Sequence, residues 1–349
     1  MPERDQDICA FLAEHGWNPE ARAPLAGDAS FRRYDRLAAG ARRAVLMDAP
    51  PPAEDVRPFV TIARHLRALG FSAPEILAEA PGQGLLLIED LGDATYTRVL
   101  AEAPAASARE TERDLYRLAV DVLIALHRIP PAEVLPAGLP PYDETRLLDE
   151  ALLLTDWYLP VMLERKTPED VRDDYIAAWR DCLTPALADA PTLVLRDYHV
   201  DNLMWLTGRD GVAACGLLDF QDAVAGPRAY DLMSLLEDAR RDIDTALTAD
   251  MLARYRAAFP DLEAPGPGRD AFDTVYAVLA AQRHAKVIGI FTRLCRRDAK
   301  ADYLVHIPRV WRLLERNLAD PALAPVRDWF ERHVAPDRRG IPEMTKGTA

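Results

Sequence analysis

The sequence predicts an α+β protein with a small β-rich N-terminal lobe and a large helical C-terminal lobe. Three observations carry that prediction. Alternating apolar residues and turn signals are concentrated in residues 1–90. From residue 94 to the end, apolar residues recur at helical spacing. Within that helical part only "TLVLRDYHVDNLMWL" and "ACGLLDFQDAVAG" read as strands.

The elements follow in order. Residues 3–15 form an amphipathic helix with Ile8, Phe11 and Leu12 on one side, closed by Gly16. "LAGDASFRRYDRLAAGARRAVLMDAP" alternates, with breaks at Gly27 and at Ala39-Gly40, and predicts a three-strand meander. Residues 54–69 form a helix ending at Gly70, its apolar face built from Phe59, Ile62, Ala63, Leu66 and Leu69. "PEILAEAPGQGLLLIEDLGD" reads as strand, Pro-Gly turn, strand, and its end, about 88–93, is the expected hinge to the C-terminal lobe, 94–349. There "TERDLYRLAVDVLIALHRI" is a helix with Thr111 as its cap, and the Pro-rich stretch 130–141 is a connecting loop. Further helices are expected over 143–166, 168–187, 227–258, 270–296 and 306–318, with the two strand-like stretches as one inserted hairpin.

Composition narrows the function classes. The chain has 349 residues, 49% apolar and 28% charged, which suits a soluble two-lobed protein. A net charge of −14 opposes both a nucleic-acid partner and an anionic membrane surface. The four cysteines, Cys9, Cys182, Cys215 and Cys295, lie far apart without a C-x-x-C pair, as in a reducing compartment. The charged start is no signal peptide, and no apolar run reaches the roughly 18 residues of a membrane span. The expectation is a cytoplasmic monomer with small-molecule partners.

"LVLRDYHVDN" (193–202) raises the chemical question, because an apolar run ends in Arg196-Asp197 and then sets down His199, Asp201 and Asn202. A second acidic strand end follows at Asp219 in "LLDFQD". Phosphoryl transfer needs a carboxylate to take a hydroxyl proton and oxygen ligands to hold Mg²⁺ against phosphates; kinases supply them as a catalytic-loop Asp, an Asn five residues on and a later Asp. Asp197 as base, with Asn202 and Asp219 as metal ligands, fit that order. Each alone reads as turn chemistry; the three together read as a site. His199 is grouped with Asp197 as catalytic, positioning Asp197 or the loop; a packing role is the alternative. A metal-dependent hydrolase using His199, Asp197 and Asp201 is a poorer reading, since His127, His284 and His306 stand isolated.

"LRDYHVDNLMWL" with "LLDFQDAVAGPRAYDLMSLL" resembles the signature of the aminoglycoside phosphotransferase and choline kinase superfamily: D-x-H-x-x-N, a strand ending in Asp, then Gly226-Pro227 and Tyr230-Asp231-Leu232. The resemblance implies a protein-kinase-like fold, ATP, Mg²⁺ and transfer of a phosphoryl group to a small-molecule hydroxyl. It also implies that Asp231 holds the catalytic loop from below. "GDASFRRY", "VLMDAPP", "LLLIEDLGD", "TDWYLP" and "QRHAKVIGIFTRL" are similar, more narrowly, to the bacterial anomeric kinases that phosphorylate N-acetylmuramate and N-acetylglucosamine at C1 in peptidoglycan recycling.

The nucleotide lobe departs from the kinase pattern. Where a Gly-rich loop, a strand Lys and a helix Glu belong, the sequence has one glycine, Met47, and a helix over 56–69 without Glu. Another cation must then meet the triphosphate, and Arg32 and Arg33 are the candidates, with Ser30 and Phe31 beside them. The resemblance also implies that the backbone from Glu89 to Leu91 binds the adenine edge; a core strand ending in a turn is the alternative reading. On the acceptor side Asp201, Trp157, Tyr158, Arg283 and Lys286 are candidates; Arg283 and Lys286 fall on one helix face that reads equally as a solvated basic stripe. Two other readings stay open: a kinase of another hydroxylated metabolite, and a nucleotide-binding pseudokinase, for which Met47 is the main sign.

Overall fold

The structure, a computed structural model, describes residues 2–25 and 31–343. Gly27 and Ser30 therefore lie outside the described residues. The chain forms two compact units. One comprises Met1–Leu126, Pro136–Gly138 and His199–Ala223; the other comprises His127–Leu135, Leu139–Tyr198 and Val224–Ala349.

In the first unit, α1 (Pro2–Glu14) precedes a five-stranded antiparallel sheet of β1 (Arg22–Pro24), β2 (Arg33–Ala39), β3 (Arg42–Asp48), β4 (Ile76–Ala80) and β5 (Leu85–Ile88), in the order β1-β2-β3-β5-β4. The expected meander and the strand–turn–strand are both present. Alternation gives the sheet two faces. Leu37, Ala44, Leu46, Leu85 and Leu87 form one core with Ile8, Phe11 and Leu12 of α1. Val45 and Met47 point to the other face, paired with Ile88 and Leu86 of β5. The next helix, α2 (Arg57–Ala68), buries Phe59, Ile62, Ala63 and Leu66 of the predicted stripe, while Leu69, its C-cap, is half-buried. It starts later than expected, so Glu54 and Asp55 stay in the segment that leaves β3.

α3 (Tyr96–Glu102) escaped the sequence reading; its cap Thr95 accepts the Arg98 N–H at 3.2 Å. α4 (Ala108–His127) begins before Thr111, which lies inside the helix rather than capping it. The same unit contains a short antiparallel ladder, Leu203–Trp205 with Cys215–Leu217. Gly216 is required there, because a Cβ would come within 2.9 Å of Met204 Cβ and 3.1 Å of a Leu91 methyl.

The second unit is helical around an aromatic core that includes Trp179, Trp311, Trp329 and Phe330. Its one ladder pairs Pro191–Val194 with Val224–Pro227. The two strand-like stretches thus supply two separate ladders, not one hairpin. The helix expected over 143–166 is broken into Glu144–Ala151, a π turn at Leu154–Tyr158 and Leu159–Leu163. Pro160, lacking an N–H, falls at that junction. Likewise 227–258 divides into Ala229–Leu236 and Thr245–Ala257, with Asp244 capping the second piece. The long helix Pro267–Asp298 lies so close to the π turn that a Cβ on Gly289 would sit 2.2 Å from the Leu153 carbonyl carbon.

Candidate active site

In the first unit, the Leu203–Trp205 and Cys215–Leu217 ladder fixes the spacing of two of the predicted residues. The Leu218 N–H donates to the Asn202 carbonyl at 3.0 Å, and the Asn202 side-chain amide reaches Asp219 Oδ2 at 3.4 Å. Asp219 adopts a left-handed backbone (φ 57°), sparsely used by residues other than glycine and frequent at functional sites. Its other oxygen accepts from Gln221 Nε2 at 2.8 Å. His199 is buried and stands 3.4 Å from the Asn202 amide through Nε2, and 3.8 Å from Asp201 Oδ2 through Nδ1. His199 therefore supports Asn202. Asp201 also accepts the Thr97 hydroxyl, so it ties this loop to α3.

Asn202 and Asp219 line a cavity of about 270 Å³. Its apolar walls include Val45, Phe59, Ile88, Leu91, Met204 and Leu218, and Arg36, Glu89 and Asp90 add charge to the lining. Apolar walls beside an amide and a carboxylate suit a nucleotide, whose flat base is apolar and whose phosphates carry a hard divalent cation.

In the segment 88–93, the Glu89 N–H donates to the Glu75 carbonyl at 2.8 Å. The Glu89 carboxylate meets Arg67 at 3.3 Å and also pairs with Arg209. Arg36 grips Asp90 at 2.8 Å and Asp93 at 2.8 Å, and donates to the Gly92 carbonyl at 3.1 Å. Side chains thus fix this segment while Glu89 and Leu91 line the cavity. The Glu89 carboxylate is engaged with Arg67 and Arg209, and its N–H with the Glu75 carbonyl.

The two loop arginines separate. Arg32, with its side chain 11% exposed, stands 3.6 Å from Asp219 Oδ1 and 3.6 Å from Glu54 Oε2. Arg33 is exposed and lines a different cleft with Arg4, Arg22 and Asp48. Phe31 is 71% exposed, and its N–H donates to Glu54 Oε1 at 3.2 Å.

In the second unit, Asp197 follows a residue held in strained geometry: Arg196 has φ 70°. Two networks hold it. Asp231, buried, accepts the Leu195 N–H at 2.6 Å and the Arg196 N–H at 2.9 Å, as the sequence reading expected of it. Burial raises the Asp231 carboxyl to about 7 against the opposing pull of those two N–H groups. The Arg196 guanidinium pairs with Glu150, which also meets Lys286 at 3.0 Å and accepts from the Tyr142 hydroxyl. Burial pushes the Glu150 carboxyl up, but Lys286 and Arg196 outweigh it and hold it below its ordinary value. Arg283 lies 3.8 Å from Asp197.

These positions correct the acceptor assignments. Arg283 and Lys286 are buried, 7% and 6% exposed, so they form no solvated basic stripe, and Lys286 is engaged with Glu150 rather than open to a substrate. Tyr158 is a core residue whose hydroxyl donates to the Arg338 carbonyl at 2.8 Å. Trp157 is half-buried on the π turn. His127 Nδ1 meets the Tyr255 hydroxyl at 2.7 Å and His284 Nδ1 meets Asn317 Oδ1 at 3.0 Å, so both serve packing. The sequence reading missed Glu54, Arg36 and Glu150. A lone Glu near a helix, or an Arg in a strand, carries no local signal of a distant partner.

Residues 22–272 match the model of the phosphotransferase enzyme family. A Caulobacter vibrioides protein named N-acetylmuramate/N-acetylglucosamine kinase is 37% identical over 97% of this chain and 98% of its own. A Pseudomonas aeruginosa protein of the same name is 40% identical over 88% of each chain. Among solved structures, a choline/ethanolamine kinase family protein from Mesorhizobium loti superposes with a TM-score of 0.58 at 15% identity, over 94% of this chain and 99% of that one. The GDP complex of aminoglycoside 2'-phosphotransferase-IIIa gives 0.56 at 16% identity, over 89% and 96%. The chain belongs to the phosphotransferase enzyme family, and its fold is that of the aminoglycoside phosphotransferases and choline kinases.

Proposed function

We propose that this phosphotransferase transfers the γ-phosphoryl group of ATP to the anomeric C1 hydroxyl of N-acetylmuramate, N-acetylglucosamine or both, as a cytoplasmic monomer. The observation that carries the reading is the Asn202–Asp219 pair, 3.4 Å apart in the lining of a cavity with apolar walls. The sugar comes from the two relatives at 37% and 40% identity, whose names give those substrates.

Asp197 accepts the C1 hydroxyl proton, and Arg283, 3.8 Å away, orients that carboxylate. Asn202 and Asp219 would hold Mg²⁺, which when bound neutralises developing charge on the phosphates. Arg32 meets the phosphate oxygens as a planar fork, and the backbone of Glu89 to Leu91 meets the base. Arg33, on its separate cleft, has no part in this assignment. The hinge at 88–93 divides the functional lobes, with the acceptor over the helical one.

Phosphorus NMR of the purified protein with ATP, Mg²⁺ and either sugar tests the reading. The expected result is a sugar-1-phosphate signal that Asp197→Asn abolishes. ATP bound without any sugar product would favour a pseudokinase, the reading that Met47 supports.

A further inference from the structure

Two features of the nucleotide unit belong together. β3 carries no lysine, and its Met47, 1% exposed, shares the face of Val45, a cavity wall. A thioether on that face cannot meet a phosphate charge. Tyr34 is the cross-strand neighbour of Met47 in β2, and Arg32 lies two residues before Tyr34 in the chain. A cation is thus present one strand over from where kinases place it.

Kinases hold the strand lysine with a carboxylate from the following helix. α2 offers none, but Glu54 stands in the segment that enters it, its N–H donating to the Pro50 carbonyl at 3.2 Å. Both Glu54 oxygens turn back toward the loop. Oε1 accepts the Phe31 N–H at 3.2 Å, and Oε2 faces Arg32 Nε at 3.6 Å. The same guanidinium faces Asp219 through Nη1 at 3.6 Å. One arginine therefore spans from a backbone-anchoring carboxylate to a carboxylate that lines the cavity.

We propose that Arg32 and Glu54 are a relocated phosphate-clamp pair, with Glu54 the positioning residue that aims Arg32 at the nucleotide's terminal phosphates. The inference rests on the reading of this cavity as the ATP site and assigns a role to a residue that contacts no substrate. An ordinary exposed ion pair contributes little, but Arg32 here is 11% exposed and Glu54 is 20% exposed. Contacts of 3.6 Å to two carboxylates orient the guanidinium.

Calorimetric titration of the full chain with Mg-ATP, Mg-ADP and AMP, beside steady-state kinetics, tests it on Glu54→Gln, Glu54→Asp, Arg32→Ala and the Arg32→Ala/Glu54→Gln double variant. Glu54→Gln should weaken Mg-ATP binding and raise the ATP KM by about tenfold, the scale of one charge-assisted contact. AMP affinity, the sugar KM and Tm should stay unchanged, and Glu54→Asp should recover part of the loss. In the Arg32→Ala background, Glu54→Gln should add less than about twofold, since coupled residues are non-additive. Unchanged ATP binding in Glu54→Gln, or full additivity with Arg32→Ala, overturns the proposal even where sugar phosphorylation proceeds normally. Conversely, a protein that phosphorylates neither sugar but shows the coupled loss of Mg-ATP affinity retains the clamp and loses only the acceptor assignment. A wild type that binds no nucleotide overturns both.

Discussion

Two arginines in this molecule face carboxylates in opposite ways. Arg32 stands 3.6 Å from Glu54 and 3.6 Å from Asp219, which lines the cavity. Arg196 is paired directly with Glu150, with Lys286 3.0 Å from the same carboxylate and the Tyr142 hydroxyl donating to it. The two ion pairs of Arg32 are longer than a hydrogen bond, whereas Glu150 is in close contact with its partners. The second cluster is closed: every strong group in it serves to hold the residue before Asp197 at φ 70°. The difference separates charges arranged to receive a ligand from charges arranged to fix a backbone, although the residue types are the same.

Substitutions should sort by that difference. Asp219→Asn in the open cluster should lower kcat by roughly 10³-fold or more, about 4 kcal/mol of transition-state stabilisation, with the thermal midpoint nearly unchanged. Parallel activity assays and calorimetric melts check it, and normal turnover would remove Asp219 from the metal assignment. Glu150→Gln in the closed cluster should do the reverse first. It leaves Arg196 and Lys286 buried without their carboxylate, and breaking such a pair costs about 3–5 kcal/mol of stability. Urea unfolding measures that loss; an unchanged midpoint would mean the closed cluster is no support for the loop. Since Glu150 is held below its ordinary value, its contribution is present above the unfolded carboxyl range and fades as pH falls through the folded one.

The contrast also explains what the sequence disclosed. The sheet, α1 and α2 announce themselves because periods of two and 3.6 are local properties of the chain. Asp197, Asn202 and Asp219 were legible for a related reason: their order and spacing lie within one short stretch of sequence. Arg283 and Lys286 were legible as one helix face, but the sequence did not say which way that face points, and the answer is inward, to Asp197 and Glu150. Glu54 and Glu150 were invisible because their partners, Arg32 and Arg196, lie 22 and 46 residues away along the chain. A carboxylate gains meaning only from what folding sets beside it. The divided helices were missed for a smaller reason: Pro160 and Asp244 are turn signals set inside runs whose apolar spacing continues across them.

Asp231 tests the closed region most finely. It is buried and its carboxyl is raised to about 7, burial outweighing the two N–H groups of Leu195 and Arg196. A carboxyl raised above its unfolded value binds a proton in the folded state that the unfolded chain has already released. Its stabilising contribution is therefore complete below the unfolded value, near 3.8, and is lost as pH rises toward about 7. Other carboxylates in the protein, such as Glu150, run the opposite way, so the total pH profile hides the effect. The difference between wild type and Asp231→Asn isolates it, since Asn does not titrate. Unfolding measured at several pH values should show the wild-type advantage shrinking between about pH 5 and pH 7, by at most about 1.4 kcal/mol per pH unit. A constant difference would mean that the two backbone N–H groups keep Asp231 ionised throughout. The loop before Asp197 would then be held by a buried charge rather than by a carboxyl that titrates near neutrality.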